Sequence, residues 1–197
     1  VVLTFLPPNF TAFQDKFARL HERNRVMKKT KWLDRKFPAI DDNGLLPSII
    51  ERLSGTPARI EEMTSQLNHD LLILKPGGAW SIQEQIGHLS DLEPLWFARL
   101  EEILAGAAEL RAADLSNQRT NTANHNAAEI KILLQLFRKQ RKLLVERLVD
   151  LGDDQLLNTA LHPRLKTPMR VIDLAYFVAE HDDHHLASIR AIVNSQA

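Results

Sequence analysis

The chain has no cysteine. Disulfides, thiolate metal sites and cysteine nucleophiles are therefore excluded, and any thiol chemistry must take its thiol from a substrate. Net charge is also absent, because 25 Lys and Arg balance 25 Asp and Glu. Without a global basic field, a nucleic-acid partner is not indicated. No apolar run approaches the ~20 residues that a spanning helix needs, so no membrane partner is expected. The opening segment, Val1 to Phe10, is apolar. It lacks a basic n-region and a small-residue cleavage site, and so does not read as a signal peptide. A cytoplasmic location is the resulting expectation. Several catalytic signatures are missing too. There is no HExxH of the zinc peptidases, no Glu-x-x-His of the di-iron bundles, no Walker phosphate loop and no dinucleotide fingerprint.

Leu, Ala, Glu, Gln, Lys and Arg dominate, and all favour helix. Glycine (7) and proline (9) are sparse, and alternating β-branched runs are few. A length of 197 residues with 44% apolar content suits one domain with a substantial core. The expected fold is all-α, a four-helix bundle with extra short helices on its N-terminal side.

Residues 1–43 differ in charge from the rest. They hold nine Lys or Arg against five Asp or Glu, +4, while the remaining sixteen against twenty give −4. The run Met27-Lys28-Lys29-Thr30-Lys31 resembles a translation start. Residues 1–26 read either as an extension outside the compact core or as a packed helix from Phe10 to Arg25. The bundle domain is assigned to residues 44–197.

Within that domain a short helix is expected over Leu45 to Leu53. Ser54-Gly55-Thr56-Pro57 should end it and start the next, with Thr56 as N-cap and Pro57 at the first helical position. Ile60, Met63, Leu67 and Leu71 then keep helical spacing to about Leu74. Ser81-Ile82-Gln83-Glu84 is a capping box and opens a long helix that Gly106 should close. Residues 106–125 form a long polar connector. A third helix follows, weakly capped by Asn126 and Glu129 and stopping at Gly152. A linker from Asp153 to Lys166 leads to a fourth, capped by Thr167-Pro168 and ending near Val193.

The last helix carries Glu180-His181-Asp182-Asp183-His184-His185. At about 100° per residue, His181 and His185 share one face with Leu174, Val178, Ile189 and Ile192. Asp183 points the opposite way and His184 lies on the flank. Imidazoles on an inner face need partners, and one remedy is a metal, since neutral imidazole suits zinc, nickel and iron. His88, in the second turn of the capped helix, is the natural third ligand along a helix seam. Spacing alone leaves two readings open, a three-nitrogen metal site or histidines that simply pack.

The segment Trp80-Ser81-Ile82-Gln83-Glu84-Gln85-Ile86-Gly87-His88-Leu89-Ser90-Asp91-Leu92-Glu93 resembles the signature of the DinB/YfiT-like superfamily. There, a Trp-Ser/Thr turn opens a helix carrying one metal-binding histidine. Arg99 also fits that helix. The stretch from Leu161-His162-Pro163 to His181-Asp182-Asp183-His184-His185-Leu186-Ala187-Ser188-Ile189 resembles the family's last helix and its HxxxH pair. The resemblance covers roughly residues 45–193. It implies a four-helix bundle whose divalent metal is held by His88, His181 and His185, with coordination positions left open for water or substrate.

The resemblance also implies a metal-dependent hydrolase or a thiol S-transferase, acting on a small-molecule substrate, in the second case with a low-molecular-weight thiol. Homodimers are expected by the same analogy. Asp91, Glu93 and His184 are candidate catalytic groups, and Asp182 or Glu93 could orient a ligand imidazole. Trp96 and Phe177 read as core or as aromatic walls of a pocket. His125 reads as a loop or cap residue near the site, while His21, His69 and His162 have no motif around them. The alternatives are a non-catalytic metal-binding or stress-response bundle and a metal-free interaction module.

Overall fold

The computed structural model describes residues 29–195. The chain divides into two units, Val1–Lys31 and Trp32–Ala197. The expectations for residues 1–26 lie outside the described residues. The second unit holds four long helices: α1 (Leu46–Thr64), α3 (Ile82–Leu104), α5 (Ile130–Val149) and α6 (Val171–Asn194). Two short helices, α2 (His69–Ile73) and α4 (Gln118–Thr122), and an antiparallel hairpin of β1 (Thr159–Leu161) and β2 (Pro168–Arg170) lie between them. Single 3-10 turns occur at Trp32–Asp34 and Asn43–Leu45, on the N-terminal side. No helix among the described residues is long and apolar enough to cross a membrane.

Around the bundle, α1 packs on α5 and α6, and α3 packs on the same two. Helices consecutive in sequence, α1 and α3, are thus diagonal, and the ring runs α1–α5–α3–α6. An up-down meander would set the second and fourth long helices apart. Here they share a seam, so His88 can meet His181 and His185.

Local signals explain much of the helix geometry. Ser81 Oγ accepts from the Glu84 N–H, and the Glu84 carboxylate accepts from the Ser81 N–H, completing the expected capping box. Gly106, with φ +70°, takes the left-handed position just past α3. Asn68 caps α2, its side chain accepting from the Leu71 N–H, so the expected run to Leu74 is broken after Thr64. The third helix ends at Val149, before the expected Gly152. Asn126 is no cap for it, because its Oδ1 accepts from Ser81 Oγ instead. Thr167-Pro168 does not cap the last helix: Pro168 lies in β2, and Asp173 accepts from the Arg170 N–H at the helix start.

The largest departure concerns Pro57. Instead of opening a new helix it sits inside α1. Proline removes the N–H that would bond the carbonyl four residues back, at Leu53. That carbonyl instead accepts from Arg141 Nη1 at 3.3 Å. A donor from a different helix therefore lets α1 continue through the proline.

Arg141 is the hub of a polar layer that separates two apolar clusters. One cluster contains Leu53, Leu100, Ile103 and Ile172, and the other Ile60, Ile86, Phe137 and Ile189. The guanidinium bonds Glu93 Oε1 through Nε (3.1 Å) and Nη2 (2.6 Å). It reaches Asp182 through Nη2 (3.0 Å) and through Nη1. With the bond to Leu53, all five donors are used, as burial of a guanidinium requires. Thr56 Oγ1 lies 2.8 Å from Asp182 Oδ2, so every long helix contributes to this layer.

Residues 32–43, grouped with the extension on charge, pack on the bundle. Trp32 meets Phe177 edge-on and Phe37 lies tilted against it, at 5.0 and 4.8 Å between ring centroids, and Ile40 is buried. Arg35 adds an ion pair to Glu180 of α6.

Candidate metal centre

His88, His181 and His185 are all buried, and each offers a nitrogen within 4.8 Å of the others. His181 and His185 stand one turn apart on α6, with their Nε2 atoms 3.2 Å apart. His88 comes from α3 across the seam, its ring 4.8 Å from that of His185 and 5.3 Å from that of His181.

Hydrogen-bond bookkeeping fixes which nitrogens face inward. Gln85 Oε1 lies 2.5 Å from His185 Nδ1 and can only accept, so Nδ1 carries the proton and Nε2 the lone pair. Thr120 Oγ1 donates its one proton to Asp91 Oδ2 at 2.9 Å. It therefore accepts from His88 Nδ1 at 3.0 Å, which leaves the His88 Nε2 lone pair free. The His181 Nδ1 atom is buried with no hydrogen-bond partner. Burial holds His88 down to about 4, with the charges of His125 and His184 adding to the effect and that of Asp91 opposing it. Burial likewise pushes His181 well below the ordinary histidine range. At neutral pH both rings are neutral, the form that ligates.

The donor set fits a divalent transition metal. It consists of three buried imidazoles from two helices, with second nitrogens of two held by acceptors. No carboxylate among the described residues joins the cluster. Trp80 covers His88 (4.6 Å between ring centroids) and stacks near His185 (6.2 Å). Trp32 meets His181 edge-on at 4.9 Å, and Trp96 does so at 5.5 Å. Trp96 is thus at once a core residue and a wall beside His181, with Phe177 packed edge-on against Trp96 at 5.9 Å.

The other candidate residues lie around this centre. Asp91 sits behind His88, joined to it through Thr120, and also accepts from His125 Nε2 at 2.9 Å and pairs with Arg119 at 3.2 Å. Burial works to raise the Asp91 pKa, but the hydrogen bonds from His125 and Thr120 and the nearby cations outweigh it, and the carboxylate is ionised. Glu93 and Asp182 do not orient a ligand imidazole; both are turned to Arg141. His184 flanks the cluster, against Trp32 at 5.7 Å and His185 at 5.4 Å. Asp183 faces outward to Arg52 and Arg59. His125 packs on Gly87, where a Cβ would fall 2.3 Å from its ring, so a glycine is needed there.

Sequence reasoning missed Gln85 and Thr120. Gln85 precedes His88 by one helical turn, a spacing that places both on one face. Thr120 lies in the polar connector, where no local pattern marks it.

A family model, that of the DinB superfamily, matches residues 52–189. Among solved structures the chain is similar to YfiT from Bacillus subtilis, a probable metal-dependent hydrolase with an unusual four-helix bundle topology. The two share 19% sequence identity and a TM-score of 0.72, with 82% of this chain and 93% of that one covered. No curated protein matches the sequence.

Proposed function

The chain belongs to the DinB superfamily, and from that premise we propose that it is a metal-dependent enzyme of the hydrolase or thiol S-transferase type. His88, His181 and His185 would hold one divalent ion, zinc, nickel or iron. The observation that carries this reading is the inward aim of three buried imidazoles. Gln85 and Thr120 fix two of them by accepting the Nδ1 protons. A divalent ion on three neutral nitrogens keeps its full charge, so it can polarise a carbonyl and lower the pKa of water or of a thiol.

The protein's own groups supply positioning. Asp91, ionised and braced by His125 and Arg119, holds the Thr120 hydroxyl so that its lone pair meets His88 Nδ1–H. Gln85 does the same for His185. Trp80, tethered by its Nε1–H to Asn121 Oδ1 at 3.0 Å, places an apolar ring against His88, and Trp32 places one against His181. These rings would exclude bulk water and receive an apolar part of a small substrate. The likeness to YfiT supports the hydrolase version.

The test is metal analysis of tag-free protein, followed by assays with each metal. One arm measures ester and amide hydrolysis, and the other conjugation of a generic electrophile to a small thiol. Near-stoichiometric metal that falls away in His88→Ala and His185→Ala is expected, with turnover in one arm. Metal below about 0.2 equivalents, with no thermal shift on adding zinc or nickel, would refute the site, because a tightly bound ion must stabilise the fold. Bound metal without turnover in either arm would refute the enzyme and leave a metal-binding bundle.

A further inference from the structure

We propose that Arg99, His162 and Arg164 form a second binding site, for a small oxyanion such as a carboxylate or phosphate. It lies where the end of α3 meets the hairpin and the connector. The inference rests on its own donor accounting and is independent of the metal reading.

Arg99 is only 2% exposed, yet it pairs with no carboxylate among the described residues. Its Nε and Nη2 donate to the Arg111 carbonyl at 3.0 and 2.8 Å. Its Nη1 points at His162 Nε2, 3.2 Å away. His162 is also 2% exposed, and its Nδ1 accepts backbone N–H bonds from Arg164 (3.2 Å) and Leu165 (3.1 Å). Nδ1 therefore carries the lone pair. Burial, with the charges of Arg99 and Arg164, outweighs a bond to the residue's own backbone carbonyl and holds the ring down to about 4, so it is neutral at pH 7; with the two backbone donors on Nδ1, its single proton belongs on Nε2. Two donors, Nε2–H of His162 and an N–H of Arg99, then face each other with no acceptor between them. The opposite tautomer is worse, since it would set Nδ1–H against two backbone donors. Nearby, Arg164 Nη2 is buried and has no acceptor either.

The charge points the same way. Arg111 also lies close, and the carboxylate that acts on Arg99 among the described residues, that of Glu102, already accepts from the Arg111 N–H and Nε. Burial, Arg164 and Arg111 push Arg99 down to about 10, against the pull of Glu102, so it remains a cation. A buried guanidinium without a counter-charge is costly, and several convergent donors of one sign make an anion site. An oxyanion accepting from His162 Nε2, Arg99 Nη1 and Arg164 Nη2 satisfies all three groups at once. Arg164 is half-buried and Arg111 exposed, which gives an approach from solvent. Trp96 and Phe177 separate this place from His181: Arg99 lies 5.7 Å over the Trp96 ring, and His162 is 5.5 Å from that of Phe177.

Metal-free protein is titrated with inorganic phosphate and, separately, with acetate, at constant ionic strength, by calorimetry and by 15N NMR of the histidine rings. Saturable one-to-one binding with a shift of the His162 Nε2–H resonance is expected, and the tighter of the two anions identifies the oxyanion class. Arg164→Gln, at a half-buried position, should weaken binding by about tenfold, the worth of one charge-assisted hydrogen bond. His185→Ala should leave it unchanged. No saturable binding of either anion, or binding indifferent to Arg164→Gln, would overturn the proposal.

Discussion

The Gln85–His185 contact offers the sharpest test of the candidate centre. Gln85→Leu keeps the side-chain volume and deletes the acceptor that holds the His185 proton on Nδ1. The bond is 2.5 Å long and buried on both sides. Without it, the proton is free to move to Nε2, the atom that faces His181 Nε2. Restoring the ligating tautomer then costs free energy on every binding event. Loss of such an outer partner typically weakens a metal by about 10- to 100-fold, or about 1.4 to 2.7 kcal/mol. Gln85→Glu should act oppositely, because a carboxylate makes the ring a better donor. Zinc affinity of tag-free protein, measured by competition with a chromogenic chelator near pH 7.5, reads both variants. The expected order is Glu at least as tight as wild type, then Leu weaker by one to two decades. Wild-type affinity in Gln85→Leu would show that His185 Nε2 is not a ligand aimed by Gln85.

Further outcomes follow from the same geometry. Arg141→Met leaves the Glu93 and Asp182 carboxylates without their cation and should destabilise the protein by about 3–5 kcal/mol in urea unfolding. Adding Glu93→Gln should recover part of that loss, and an unchanged single variant would contradict a structural role for the layer. Gly87→Ala drives a Cβ to 2.3 Å from the His125 ring. It should cost about 1–3 kcal/mol and loosen zinc, read by thermal melts and chelator competition. His88 and His162 are each held down to about 4, below the value near 6.5 in an unfolded chain. The unfolded state then binds more protons between those values. Stability of the metal-free protein should be full above about pH 6.5 and fall as pH drops toward 4, by up to about 3 kcal/mol for His88, with His162 adding in the same direction. Denaturant titrations across that range showing flat or rising stability at acid pH would contradict the burial of neutral rings.

Short-range codes carried a good deal of this molecule. The Ser81–Glu84 box and Gly106 bounded the helix that bears His88, because caps act within a turn of the residues they serve. The four-residue step from His181 to His185 put both rings on one face by helical pitch alone. Periodicity likewise gave four long helices. It could not tell that α3 and α6 adjoin, since ring order depends on how the connector from residue 105 to 129 crosses the bundle.

Pro57 read as a helix start because its missing N–H normally leaves a carbonyl stranded; only the fold brings Arg141, 88 residues from Leu53, to fill that gap. In the same way Gln85 meets His185 from 100 residues away, and Thr120 meets His88 from 32. Dihedral preferences and caps are local energies, legible in a short window of sequence. The partner that satisfies a buried polar atom is set by packing of distant segments, and only the tertiary structure decides it.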